Sequence, residues 1–320
     1  MFTDIIFMVI ELNKIAKIVV TIIIFGLILI FYIIKKDDIE SNIAYLYNKY
    51  LVPEIRQELV SNDYIKKEDY EFVQIYNDTN VTNKKELKNA IYTFLDAGYN
   101  EYKFKCDVKY ENCITDTKKM VNNKTLLTDI SNFVHPYNTF NKIKTSITNS
   151  GIVTLKKTVK YDNNMVNALN KKVDEIYKEN YDSSKSVKEN IKIFHDYIIN
   201  NTTYDKDNIK GSIKSASTTA YGVLFNKKGI CSGYTDAMQL FLEKMGVKNY
   251  RISSTTHEWN LVYVEGKWLH LDLTWDDPIT SDGSSILKED YFLIDTNELM
   301  SKEDGEHNFD SSIYKETKSN

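Results

Sequence analysis

Three segments of this chain place a thiol, an imidazole and a carboxylate in order. Cys231 stands in Gly229-Ile-Cys-Ser-Gly-Tyr234, His257 in His-Glu-Trp-Asn260, and Asp272 in His270-Leu-Asp-Leu-Thr-Trp-Asp-Asp-Pro278. These are the parts of an activated cysteine nucleophile: a base takes the thiol proton, and an acid orients the base. In that chemistry Cys231 forms a thioester and His257 returns its proton to the leaving group. Asp272 fixes the imidazole tautomer. The oxyanion would meet the Cys231 amide and one upstream donor, for which Tyr221 is the candidate by position.

The elements that must hold these groups can be read nearby. Cys231 to Met245 has helical character, with Ala237, Leu240, Phe241 and Leu242 apolar and Gly246 as the stop. Cys231 therefore sits at a helix start, where the dipole and unpaired amides favour a thiolate. Gly229 and Gly233 would let the backbone turn sharply and approach a substrate. The bland alternative is a buried, inert cysteine. A glycine-flanked helix start favours function over that alternative.

His257–Val264 and Lys267–Trp275 both read as strands, joined at Glu265-Gly266. A two-residue turn pairs Val264 with Lys267, and so puts Trp259 opposite Asp272 and His257 opposite Thr274. His257 and Asp272 then become diagonal neighbours on one face. A four-residue loop keeps that register, whereas a three-residue loop would put them on opposite faces. His270 shares the face but lies farther from His257, and reads as a wall or packing residue. Trp259 and Trp275 are expected at the site wall, although tryptophans are as often core. Asp276 and Asp277, with Asp282, could hold a metal, but adjacent acids before Pro278 are more often turn chemistry. No metal or cofactor is expected.

At these residues the chain resembles the bacterial members of the transglutaminase-like superfamily. The three blocks around Cys231, His257 and Asp272 carry the resemblance, in order. Tyr221-Gly-Val-Leu224, Tyr291-Phe-Leu-Ile294 and His307 in Glu306-His-Asn-Phe-Asp310 add to it. The resemblance covers roughly residues 185–310. It implies an α+β, papain-like core in which a helix bearing the cysteine packs on an antiparallel sheet bearing histidine and aspartate. It also implies Cys231, His257 and Asp272 as the triad. Such proteins include cross-linkers, proteases, glycanases and members that have lost the triad. No calcium site is legible, so the calcium dependence of animal cross-linking enzymes is not carried over.

The rest of the 320-residue chain says where this thiol would work. Ile18–Ile34 is an uncharged run of 17 residues between Lys17 and Lys35-Lys36. It would span roughly 26 Å as a helix, close to the hydrocarbon thickness once the lysines snorkel. The run is longer than a signal-peptide core, and no small-residue cleavage site follows it. It reads as a single-pass anchor closing residues 1–36, with the catalytic part outside the cell. Residues 37–64 read as a helical, polar stalk interrupted by Pro53.

Residues 65–161 read as a small α+β module with strands at Glu71–Tyr76 and Tyr102–Tyr110. Helices follow the patterns of Lys84–Asp96 and Thr117–Val134, the latter with a polar break near Asn123. A hairpin is expected around Asn149-Ser150-Gly151. Cys106 and Cys113 could form a local disulfide, which would leave Cys231 as the odd thiol. Residues 162–320 hold the catalytic domain, entered through helices over Asn163–Glu179 and Ser186–Asn200. His195 lies beside the apolar face of the second and is expected to be a packing histidine.

The net charge of −4 and intermixed lysines and acids exclude an obvious nucleic-acid surface. The expected partner is a protein or peptide substrate of the bacterial cell envelope, hydrolysed or transferred as a peptidase or acyl transferase would. The alternative is a catalytically silent surface scaffold. The sequence carries no signal of oligomeric state.

Overall fold

The computed structural model describes residues 2–50, 55, 57–148, 150–208, 216–278 and 286–318. Pro53, Asn149 and Asp282 lie outside the described residues. Two units divide the chain: Met1–Glu54 with Asp107–Glu111, and Ile55–Cys106 with Asn112–Asn320.

The first unit contains α1 (Phe2–Tyr50). Within it Ala16–Lys36 has a mean hydropathy of 2.8 and is long and apolar enough to cross a membrane. The Thr21 hydroxyl in the apolar run donates to the Lys17 carbonyl at 2.8 Å, so that side chain is paired within the helix. The helix continues through the first half of the expected stalk. Residues 57–62 are not helical. There Gln57 pairs with the Lys103 backbone in both directions, at 2.8 Å each, as a neighbouring strand would.

The second unit begins with β1 (Asn80–Val81), α2 (Lys84–Asp96), β2 (Glu101–Cys106), α3 (Cys113–Asn122), α4 (Lys124–Ser131), β3 (Phe140–Ile147) and β4 (Ile152–Val159). The four strands form one sheet in the order β1-β2-β4-β3. Asn123 divides α3 from α4 and caps α4 by accepting from the Leu126 amide at 3.1 Å. Cys106 and Cys113 are joined in a disulfide with Cα atoms 5.7 Å apart. The alternating segment 71–76 is not a strand. The amides of Gln74, Ile75 and Tyr76 are taken by the side chains of Asn89, Asp69 and Thr93, which replaces a ladder partner.

The core follows with α5 (Asn163–Asn180), α6 (Val187–Asn200), β5 (Thr203–Tyr204), α7 (Ala220–Asn226), β6 (Lys228–Gly229), α8 (Cys231–Lys244), β7 (Asn249–Ser253), β8 (Glu258–Val264), β9 (Lys267–Leu271), β10 (Phe292–Ile294) and α9 (Thr296–Ser301). Strands β7 to β10 form an antiparallel sheet in the order β10-β9-β8-β7. Helix α8 is buried continuously from Gly233 to Leu242, because it packs on this sheet and on α5, α6 and α7. Phe241 stacks on Phe194 of α6 at 4.6 Å within that core. A helix covered all round has no polar stripe, which is why its sequence pattern is weakly amphipathic.

The residue 65–161 segment has its own sheet, yet it shares a compact unit with the core. Side chains bridge the two parts. Asn132 donates to Ser253 and to Tyr314, each at 2.8 Å. Lys66, nearly buried, pairs with Glu243 at 2.7 Å.

Candidate active site

The turn between β8 and β9 sets the register of the site. Glu265 and Gly266 both have left-handed φ, 53° and 83°, the signature of a two-residue type I′ turn. Val264 pairs with Lys267 and Asn260 with Leu271, as the sequence arithmetic expects. The ladder stops at Leu271, short of the expected Trp275. Asp272 causes the stop: its Oδ1 accepts from the amides of Thr274 and Trp275 at 2.8 and 3.3 Å. Those amides fold back onto a side chain and are lost to the sheet.

His257 lies just before β8. Its amide donates to Ser254 Oγ at 3.0 Å and its carbonyl accepts from the Ser254 amide at 2.9 Å, which fixes the backbone. Its Nε2 makes a short hydrogen bond to Asp272 Oδ2. The Cys231 side chain is a further close neighbour of the ring. Burial works against a charge on this ring, but the Asp272 carboxylate and Cys231 outweigh it and hold the imidazole up at about 11. His257 and His307 in turn hold the buried Asp272 carboxyl well below the usual range, against the cost of burial.

Cys231 is the first residue of α8 and a half-buried free thiol. The segment entering it is tied down on both sides. Ile230 donates to the Ser217 carbonyl at 2.9 Å, and Thr235 Oγ1 bridges the carbonyls of Cys231 and Glu258 at 2.8 and 3.0 Å. One threonine thus joins the start of α8 to the start of β8. The flanking glycines are explained by packing, not by an open approach for substrate. A Cβ on Gly233 would lie 2.4 Å from the Ser217 carbonyl oxygen, and one on Gly229 2.6 Å from Val223. At Gly233 backbone meets backbone, and at Gly229 the side chains of Val223 and Tyr234 close the space, so glycine fits both.

Other expected residues distribute unevenly. Trp259 is buried and lies parallel to His257 at 5.7 Å. Trp275 lines a cleft of 350 Å³ together with His257, Thr274, Tyr204, Lys206 and Glu306. His270 accepts from Trp259 Nε1 at 2.9 Å and meets Thr296 at 3.1 Å. Burial pushes it down to about 3, so it is neutral and serves the wall. Asp277 accepts from Tyr234 at 2.6 Å, while Asp276 meets His195 at 3.2 Å and the Tyr291 amide at 3.0 Å. Both carboxylates are spent on the fold. His195 is more than a packing residue, since Asp196 takes its other nitrogen at 2.8 Å. Tyr221 stacks on Phe225 of its own helix at 4.5 Å and packs against the core.

Sequence reasoning overlooked Tyr204. Parallel pairing of β5 with β6 sets Tyr204 opposite Gly229, two residues before Cys231. The Tyr204 hydroxyl lies beside the backbone amide of Cys231. Burial, then the nearby Cys231, Glu306 and Asp272, push the phenol up to about 12, so it keeps its proton and can donate into the cleft. The signal was a tyrosine in a two-residue strand, too short for any periodicity to reveal. Tyr204→Phe is expected to lower the acylation rate with an activated ester about 100-fold, the cost of one oxyanion donor. Iodoacetamide alkylation forms no oxyanion and should be little changed. Equal losses in both reactions would deny Tyr204 this role.

Sequence reasoning also left His307 without a role. Its Nε2 meets Asp272 Oδ2 at 2.9 Å and its Nδ1 meets Asp304 Oδ2 at 2.7 Å. The ligand-type atoms of His257, Asp272 and His307 lie within 4.8 Å of one another, close enough for a metal ion. Here the Nε2 atoms of both rings are engaged in hydrogen bonds to Asp272, which an ion would have to displace.

Comparison with known proteins agrees with this core. The family model described as Transglutaminase-like superfamily matches residues 170–273. The chain thus carries a transglutaminase-like domain of mixed helix and sheet. A solved structure described as a TGase is 16% identical with a TM-score of 0.33, over 42% of this chain and 44% of that one. A candidate cysteine protease from Cytophaga hutchinsonii is 16% identical with a TM-score of 0.28, over 46% of this chain and 65% of that one. The chain therefore spans less than two thirds of the length of either. Comparison with curated proteins gives no match.

Proposed function

We propose that this protein is a membrane-anchored, cysteine-dependent enzyme that hydrolyses or transfers amide bonds of cell-envelope proteins or peptides. The observation that carries the reading is the hydrogen bond from His257 to a buried, ionised Asp272, set beside the free Cys231 thiol at the start of α8. An imidazolium beside the sulfur favours the thiolate. The thiolate attacks the substrate carbonyl, and the oxyanion meets the Cys231 amide and the Tyr204 hydroxyl. His257 gives its proton to the departing amine, which leaves a thioester. Water or a second amine then attacks, surrendering its proton to His257, and the sulfur leaves as thiolate.

The membrane part of the reading rests on Ala16–Lys36. The Cys106–Cys113 disulfide favours an oxidising compartment, hence the outer side. The full chain in detergent should release peptide fragments from envelope protein, or incorporate a fluorescent primary amine into it. Cys231→Ala should lower either activity at least 1,000-fold. Full activity in Cys231→Ala would sink the mechanism. Absence of both activities across envelope substrates would favour a silent scaffold.

A further inference from the structure

The residue sequence offers three catalytic groups, but the hydrogen bonds do not end at the third. Asp272 Oδ2 receives two imidazoles, His257 on one side and His307 on the other. Its Oδ1 is filled by the amides of Thr274 and Trp275. His307 is buried and held on every side. Tyr291 stacks on its ring at 4.9 Å, and Trp259 and Trp275 stand edge-on at 4.8 and 5.2 Å. Asp304 anchors its far nitrogen. That carboxylate is itself fixed by the Tyr291 hydroxyl at 2.9 Å and by the amides of Glu306 and His307 at 3.0 and 3.1 Å.

We infer that His307 is a positioning residue for the thiol chemistry, and that the working unit is the five-group series Asp304–His307–Asp272–His257–Cys231. This rests on the function proposed above and adds to it. A carboxylate gripped by His257 alone at Oδ2 could tilt about its own axis. With His307 on the same oxygen, its plane is set before the substrate arrives. Because both His307 nitrogens face carboxylate oxygens, both bonds require a proton on each. The second imidazole then also draws charge from Asp272 and moderates its pull on the His257 proton.

The charged and titratable groups around the His307 ring are few. Asp272 and Asp304 meet its nitrogens. His257 stands perpendicular to it at 5.2 Å. Tyr291 covers one face, with Lys302 over the Tyr291 ring at 4.8 Å, and His270 senses its charge. The C-terminal segment, which carries no part of the Cys231–His257–Asp272 series, thus contributes the groups that fix the acid of that series.

The test is iodoacetamide alkylation of Cys231 in the full chain in detergent, followed against pH, with folding checked by thermal melting. His307→Ala should slow alkylation near neutral pH by about 10- to 100-fold, the effect typical of partners behind metal-bound histidines. His307→Gln, which can still donate to Asp272, should restore most of the rate. A His307→Ala profile that superimposes on the native one overturns the inference. So does a folded His307→Gln as slow as His307→Ala. If His307→Ala fails to fold, Asp304→Asn decides: a slower rate with a displaced profile supports the series, and a native profile overturns it. If the native protein reacts no faster than His257→Ala, the proposed function itself falls and the inference with it. A fast native protein with indifferent His307 variants removes the inference alone.

Discussion

His257→Ala should slow alkylation of Cys231 at pH 6 by about 100-fold, and should lower turnover by about 1,000-fold or more. The first figure follows from the thiolate. A lone cysteine titrates near 8.5 and holds well under 1% of its thiolate at pH 6. The native protein instead sets an imidazolium beside the sulfur, with a proton held up to about 11. The larger loss in turnover reflects the second duty that the proposed mechanism gives His257, protonation of the leaving amine.

The pH dependence carries the same signature. Native turnover should be flat from weakly acid to weakly alkaline pH and fall as His257 deprotonates near 11. The Asp272 carboxyl lies far below the range, so it imposes no limb near neutrality. The sign for stability runs the same way. The His257 pKa is raised on folding, so its contribution is complete below its unfolded value of about 6.5 and is lost as pH rises through about 11. Equal alkylation of the native and His257→Ala proteins at pH 6 would show that the nearness of His257 to Cys231 does no chemistry.

The parts of the site legible in the sequence are those set by local geometry. Glu265-Gly266 announces its turn, and the turn alone fixes which residues of two strands face each other. Gly246 and the apolar run before it announce α8. The parts that were not legible depend on distant partners. Tyr204 reaches Cys231 only because two short parallel segments pair. Gly229 and Gly233 are required by neighbours that press on them, the side chains of Val223 and Tyr234 on the first and the Ser217 carbonyl on the second. The 71–76 segment alternates like a strand, but side chains of α2 and of Asp69 satisfy its amides. Residues 65–161 have the pattern of an autonomous module because their own sheet is complete. What binds them to the core is a set of polar bridges and aromatic contacts between distant residues, such as Phe133 on Tyr250 at 4.7 Å, that no local period records.

The strongest of those bridges is centred on Asp236, and its removal should cost about 3–5 kcal/mol of stability. Asp236 is fully buried in α8 beneath the Cys231 end. Its Oδ1 accepts from Arg251 Nη1 at 2.8 Å, and its Oδ2 accepts from Lys160 at 2.9 Å and the Tyr161 hydroxyl at 2.6 Å. Arg251, 2% exposed, also donates to the carbonyl of Ser131. The helix, the sheet and the C-terminal end of the 65–161 segment therefore meet at one carboxylate, and Arg251 ties Ser131 to it. Burial alone would favour its neutral form, but Lys160 and Arg251 hold its carboxyl below the usual range. Its contribution is accordingly present above an unfolded value of about 4 and lost as pH falls through the lower folded one.

Asp236→Ala leaves Arg251 buried without its main partner, and that isolated charge is the source of the penalty. Against a total stability of about 5–15 kcal/mol, the variant should melt far below the native protein. Lys160, partly exposed, can turn its ammonium to water and adds little to the loss. The double change Asp236→Leu with Arg251→Met removes both charges together and should recover most of the stability, because two desolvated ions are replaced by packed apolar groups. Chemical denaturation of both variants reads the difference directly. A loss under about 1 kcal/mol in Asp236→Ala would mean the buried ions are already solvated, and that hydrophobic packing alone fixes α8 on the sheet.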